Sequence, residues 1–421
     1  MAFPGKFSKW HNLADKGAKV SPQILEQLFP VRNLSEEVRL SFAEENHMES
    51  IPAGATLFTI DTPTDSAIYL IKGSINFTDQ NGRSYSIEAG SPKAKFPICS
   101  GNKHTTTAVT ETEVSLLRVS LSIMSSCNRN QHQALEIPPK LSDNRLLALF
   151  ADHYLNHELE IPSLPEVAIQ IRKAIQADVN LDEIVKIVNL DPVISAKLVE
   201  VANCPLYIAQ APAKNCMDAI KRIGLNATRS MVVSLSLKQV FKSRSQPIKL
   251  RLEELWKKSL YLSTLCHILA KAGKEINPED ALLAGLVSDI GGIPFLNFVA
   301  NLPNEFTKDK EISEALPIVT PVVGTTVLKE WQFAPEFIDV SLNSHNWYQN
   351  SGDNLSLTDI VVLSRLHTLI GNRALHDPLP AITSIPAAGK FKGIALSPEN
   401  TLAILHDAKS KIHSALRLFL T

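Results

Sequence analysis

His153 and His157 stand four residues apart in a stretch where Leu146, Leu147, Phe150, Tyr154 and Leu155 follow a helical period. That spacing puts both imidazoles on one helix face, and two imidazoles are part of what a metal site needs. No third ligand accompanies them, so the pair reads as polar surface histidines. Cys99, Cys127, Cys204, Cys216 and Cys266 are odd in number and contain no CxxC pair. Reduced thiols in a cytoplasmic protein are expected, rather than a zinc site or a disulfide framework. Cations gather between Lys238 and Lys258 (Lys238, Lys242, Arg244, Lys249, Arg251, Lys257, Lys258), but Glu253 and Glu254 interrupt them and no aromatics interleave. They read as a solvated linker and helix face rather than a phosphate-contacting surface. Asp289 stands beside Gly291-Gly292, where it can bond locally at a tight turn. His267 reads as a helix-face histidine.

The elements that must position these groups are helical from Ile161 onward. Val167, Ala168, Ile171, Ala174 and Ile175 make one apolar stripe of a 3.6-residue period. Asn180 and Glu183 have the spacing of a capping box ahead of Ile184, Val185, Ile187 and Val188. Asp191 reads as an N-cap with Pro192 at the first helical position, and Ile194, Leu198 and Val201 form the buried stripe that follows. Gly224 stands where a left-handed cap is expected, with Asn226 able to cap the next helix. Asp143 is expected to cap the helix that carries His153.

The segments IPSLPEVAIQIRKAI, DPVISAKLVEVAN and AIKRIGLNATRSMVVSLSL, in that order, resemble the HDOD domain of bacterial signalling proteins. That domain is a relative of the HD superfamily of metal-dependent phosphohydrolases. The resemblance implies a ligand set delivered by four segments. They are a His after the Leu-Trp of EELWKKSLYLSTLCHILAKAG, a His-Asp dyad before Ile-Gly, further His residues after GTTVLKEWQFAPEFIDVSL, and an Asp in TDIVVLSRLHTLIG. A divalent ion needs several such N/O ligands before it can lower the pKa of a bound water. In this chain Lys258 stands at the first His, and the dyad reads Ser288-Asp289. His345 and His367 lie near the later positions, and Arg365 and His367 occupy the neighbourhood of the final Asp. We therefore expect a vestigial site with no catalytic residue, no metal and no cofactor. The rival reading is a divergent metal phosphohydrolase using Asp289, His345, His367 and His267.

Between Met48 and Ser122 the pattern changes to short β-rich runs: 56–60, 67–71, 74–77, 85–87 and 114–119. Turn residues, Asn81-Gly82 among them, punctuate these runs. Such runs read as a small barrel or jelly roll. IPAGATLFTIDTPTDSAIYLIKGSINFTDQNGRSYSIEAG and TTTAVTETEVSLLRVS resemble the two halves of a cyclic-nucleotide-binding domain. The resemblance implies a phosphate cassette between them, with a Gly-Glu pair opening a short helix and an Arg clamping the phosphate. Here that region is SPKAKFPICSGNKHTTTAV. It has no Gly-Glu pair, and Thr105 stands where the Arg is implied. Lys103 and His104 are the nearby cations, and Lys is a poor replacement for a bidentate fork. Cyclic-nucleotide binding is not expected.

With 421 residues, 44% hydrophobic and 20% charged, the chain is long enough for two or three ordinary globular cores. A net charge of −1 supplies no field toward nucleic acid or an anionic membrane. The N-terminus has no apolar h-region, and no run is expected to approach the ~18 apolar residues of a membrane span. The fold class that follows is multidomain α and β. An N-terminal arm (1–20), carrying Lys6, Lys9, Lys16 and Lys19 among Phe3, Phe7 and Trp10, precedes a cyclic-nucleotide-binding-like β roll with flanking helices (21–125). A linker with a helix (126–160) then leads to an all-α HDOD domain with a C-terminal helical extension (161–421). The expected function is non-catalytic signal transduction in the cytoplasm, the HDOD half binding a protein partner under control of the roll. The C-terminal helix opened by Ser397 could also serve a homodimer. A nucleic-acid-binding regulator is a further alternative, but no recognition-helix pattern follows the roll.

Overall fold

The computed structural model describes residues 15–124, 135, 137–138, 141–369 and 379–391. Residues 35, 65, 101–102, 122, 157–158, 178, 205–206, 208–210, 244 and 304–307 are excepted. The basic-aromatic arm before Asp15, His157, Cys127 and the helix expected from Ser397 lie outside the described residues. The chain divides into two compact units.

The first unit is β-rich. Its strands are β1 (Asp15–Lys19), β2 (His47–Ile51), β3 (Thr56–Phe58), β4 (Ser66–Lys72), β5 (Ser74–Thr78), β6 (Ser84–Glu88), β7 (Thr107–Thr110) and β8 (Val114–Ser120). They form two four-stranded sheets, in the orders β1-β2-β8-β4 and β3-β7-β5-β6, with every pairing antiparallel. Alternation decides which side chains face inward. Ile75 and Phe77 of β5 are fully buried and meet Ile68, Leu70 and Leu116 of the other sheet in one core. This is the expected β roll. The Asn81-Gly82 hairpin is also present: Asp79 Oδ1 accepts from Asn81 N at 2.8 Å and Arg83 N at 3.0 Å, between paired Thr78 and Ser84. Strands β1 and β2 were not expected. Their sequences, DKGAK and HMESI, carry little apolar pattern, and antiparallel pairing places them at one end of their sheet. β1 also lies within the stretch read as a free arm. Helix α1 is Pro22–Leu25, and α2 is Glu36–Glu45. The unit includes residues 346–354 and 379–391, far along the chain, with Tyr348 packed near Phe96 at 6.5 Å.

The second unit is helical. In chain order it contains α3 (Arg145–Asn156), α4 (Glu166–Gln176), α5 (Leu181–Asn189), α6 (Pro192–Ala202), α7 (Cys216–Ile223), α8 (Leu225–Leu237), α9 (Gln246–Gly273) and α10 (Pro278–Val287). There follow α11 (Gly292–Ala300), α12 (Asp309–Glu330), α13 (Pro335–Asn343) and α14 (Leu357–Leu369). The caps read from sequence form at α5 and α6. Asn180 Oδ1 accepts from Glu183 N at 3.0 Å, and Asp191 Oδ1 accepts from Val193 N at 2.9 Å and Ile194 N at 3.1 Å. Two others differ. Asn144, not Asp143, caps α3 by accepting from Leu147 N, since it stands one residue before the first helical turn. Gly224 has the positive φ expected of a helix-ending glycine (+89°), but its ψ of 154° lies outside the left-handed helical region; α8 starts at once and Asn226 lies inside it.

The longest helices form the centre of this unit. Nearly every side chain of α9 from Ser259 to Ala270 is buried, so it has no wet face there. His267 is therefore 2% exposed, a core histidine rather than a surface one. Two stretches, Pro278–Ala300 and Asp309–Glu330, are long and apolar enough to cross a membrane, which corrects the expectation that no run approaches that length. They are 83% and 56% buried in the unit, and their core positions account for the composition. Gly291 has an ordinary helical φ of −63°, so no tight turn requires it. A Cβ there would lie 2.2 Å from Thr320 O and 2.3 Å from Gly324 N. The glycine instead permits backbone contact with α12.

Candidate functional site

Asp289 follows α10 at the turn into α11, beside Ser288, the C-cap residue of α10. Ser344 caps the C-terminus of α13 and His345 follows it. Opposite stands α14. Its start is fixed by a reciprocal cap: Asp359 N donates to Ser356 Oγ at 3.2 Å, while Asp359 Oδ2 accepts from Ser356 N at 2.9 Å and Oγ at 2.8 Å. Thr358 Oγ1 of the same turn donates to Asp339 Oδ2 of α13, which sets α14 against α13. Asp359 is the only carboxylate of α14, and its Oδ2 is engaged in that cap.

Arg365 reaches from α14 to the carboxylate of Asp289. Its Nη1 donates to Oδ2 at 3.1 Å and its Nη2 to Oδ1 at 3.0 Å, a fork-to-fork pair. Nη2 also donates to Ser288 Oγ at 3.1 Å and Ser344 Oγ at 3.4 Å. His345 Nε2 lies 2.8 Å from Asp289 Oδ1. The side chains of Arg365 and Asp289 are 11% and 13% exposed, and that of His345 is 33% exposed.

Electrostatics closes this cluster. Burial opposes the Asp289 charge, but Arg365 and then His345 outweigh it and hold the carboxyl well below the usual range. Desolvation and the neighbouring guanidinium push His345 below its ordinary value, against the pull of Asp289. At neutral pH, then, a neutral imidazole donates from Nε2 to a carboxylate already neutralised by Arg365. Both oxygens of Asp289 are taken.

A divalent metal does not fit this arrangement. Among the described residues no three His, Cys, Asp or Glu side chains converge on a point. The guanidinium occupies the edge of Asp289 that a metal would need. A dication placed at ~4 Å from it would be repelled by roughly 8 kcal/mol at an effective dielectric constant of about 20.

The other residues read from the resemblance are not gathered here. Lys258 is an exposed side chain pairing with Glu254 at 3.5 Å. His367 lies two residues beyond Arg365, about 200° around the helix. It is buried, with neither ring nitrogen bonded among the described residues, and burial pushes its pKa down to about 4. Asp289 bonds across the unit rather than locally. The residues missed by the sequence reading are Arg365 as the partner of Asp289, and Ser344. One signal was present: an arginine in the apolar run IVVLSRLHTL requires a buried acceptor. Cavities of about 280 Å³ beside Pro162, Arg172 and Trp331, and of about 510 Å³ beside Val185, Pro192 and Met217, are not lined by Asp289.

In the β-rich unit the cassette residues separate. Lys103 is exposed. His104 is 8% exposed and stacks flat on Phe58, with ring centroids 3.8 Å apart. Thr105 Oγ1 donates to the carbonyl of Thr383 at 2.9 Å.

Residues 161–347 match the family model of the HDOD domain. The chain carries an HDOD domain. A structure from Shewanella amazonensis SB2B, provisionally named a metal-dependent phosphohydrolase, is similar at 26% identity with a TM-score of 0.56. The similarity covers 66% of this chain and 99% of that one. An HDOD domain protein of unknown function from Geobacter sulfurreducens is similar in fold, at 22% identity and a TM-score of 0.51, over 66% of this chain and 98% of its own. A protein of Treponema pallidum (strain Nichols) is 22% identical over 198 residues, which span 44% of this chain and only 38% of that protein. The Arg365–Asp289 pair thus lies in and just beyond the HDOD match: Asp289 and His345 are inside it, and Arg365 follows it.

Proposed function

We propose that this chain is a signal-transduction protein whose HDOD domain acts by binding a protein partner, not by metal-assisted hydrolysis, with the β roll as its regulatory module. One observation carries the reading. The carboxylate of Asp289, where the HD resemblance implies a metal ligand, is neutralised by the internal guanidinium of Arg365. A fixed monovalent cation can hold the helices α10, α13 and α14 together as a metal would, but it offers no coordination position and activates no water. The four described cysteines are buried and form no disulfide with one another, in keeping with a reducing cytoplasmic setting.

The test is metal content per chain for protein purified from cells supplied with iron and manganese, together with hydrolysis assays on a cyclic dinucleotide. The reading requires far less than one divalent ion per chain and no turnover. One ion per chain with turnover at an ordinary enzymatic rate would refute it.

A further inference from the structure

Residues 379–391 belong to the β-rich unit and lie against the connection between β6 and β7, the region SPKAKFPICSGNKHTTTAV. Ile382–Ser384 form one 3₁₀ turn and Pro386–Gly389 a short helical turn. Ile382, Ile385 and Ala387 are 4% or less exposed, and Phe391 is 7% exposed. Within the turn, Ser384 N and Oγ both donate to Ala381 O, which leaves the carbonyls of Thr383 and Ser384 free to point at neighbours. Two hydroxyls of the roll meet these carbonyls, and a third meets the Thr383 side chain. Thr105 Oγ1 donates to Thr383 O at 2.9 Å, Ser100 Oγ donates to Ser384 O, and Tyr85 Oη shares a 2.7 Å hydrogen bond with Thr383 Oγ1.

The chemistry of this face suits a neutral acceptor. Its donors are hydroxyls, which match peptide carbonyls without burying charge. None of these three bonds comes from a cation: Lys93 Nζ lies 5.6 Å from the centroid of the Tyr85 ring, Lys103 is exposed and His104 is stacked on Phe58. We propose that the β6–β7 face of the roll is a peptide-binding site, and that its ligand is the chain's own segment around Ile382–Ser384. The segment then excludes a cyclic nucleotide from this face, and a sequence position beyond α14 is held by the roll. This assignment stands whether or not the HDOD domain hydrolyses anything.

Hydrogen exchange on the full-length protein tests it. In wild type the amides of residues 384–390 should exchange at least ~100-fold more slowly than in a free peptide. Thr105→Val and Ser100→Ala should each raise that exchange about fivefold, the effect of one hydrogen bond. Tyr85→Phe and Thr383→Val remove the same bond, so the double variant should exchange no faster than the faster single variant. Protection of the paired β5 and β7 amides shows that each roll is folded. Thr383→Val, which lies outside both sheets, keeps the readout should a change in the roll unfold it. Millimolar cyclic AMP should leave the segment protected. Free-peptide exchange in wild type, additive effects in the cycle, or release of the segment by cyclic AMP would each overturn the assignment.

Discussion

Replacing Arg365 by methionine keeps most of the volume of the side chain and removes the guanidinium. Four hydrogen bonds are lost: two to Asp289 and one each to Ser288 and Ser344. The carboxylate left behind is 13% exposed and retains only His345 as a counter-group. Removing one partner of a buried ion pair costs about 3–5 kcal/mol, because the remaining charge stays desolvated. The pH dependence follows from the two partners. Wild-type Asp289 is held below its unfolded pKa, so its contribution is complete above the ordinary carboxyl range and fades only as pH falls through the folded value. Burial still disfavours a charged His345 in Arg365→Met, but the repulsion that adds to it is gone, and an imidazolium beside Asp289 forms more readily. Its folded pKa rises, so the variant regains stability below the ordinary histidine pKa of ~6.5. The loss should therefore be largest near pH 8 and smaller near pH 5.5. Guanidinium denaturation followed by the fluorescence of Trp256 and Trp331, both buried in the helical unit, measures it. A cycle with Asp289→Asn should give a coupling of at least about 2 kcal/mol. A loss under about 1 kcal/mol at pH 8, or additive single effects, would refute the view that this pair holds the three helices together.

Other expectations are independent of that pair. His367 has its pKa lowered to about 4, so the unfolded chain takes up the proton first and stability falls as pH drops from about 6.5 to 4. The full shift amounts to about 3 kcal/mol. His367→Phe should flatten the stability curve over that window, and parallel curves for the two proteins would contradict the assignment. Gly291→Ala places a methyl against Thr320 O and the Gly324 backbone, which cannot yield as a side chain would. It should cost about 2–3 kcal/mol or more, read as a lowered denaturation midpoint. Asn180→Ala removes the cap of α5 and should cost about 1 kcal/mol, with Asn180→Asp nearly neutral.

The sequence by itself determined the helical order from Glu166 to Leu237, the hairpin at Asn81-Gly82 and the change from β to α along the chain. Each of these is carried by residues within a few positions of one another: an apolar stripe, a cap three residues from its donor, a turn between two strands. It also showed that Ser288 stands where a metal-ligating histidine is implied. Only the tertiary structure decided what faces Asp289, because Arg365 and Asp289 are separated by 76 positions and meet through the packing of α10, α13 and α14. The same holds for His267, whose burial depends on neighbours around the whole of α9, and for Gly291, whose need arises from a helix some thirty residues on. Strands β1 and β2 and the segment at Ile382–Ser384 are the clearest cases. Their own residues carry weak patterns, and what fixes them is hydrogen bonding to partners that the linear order does not place beside them.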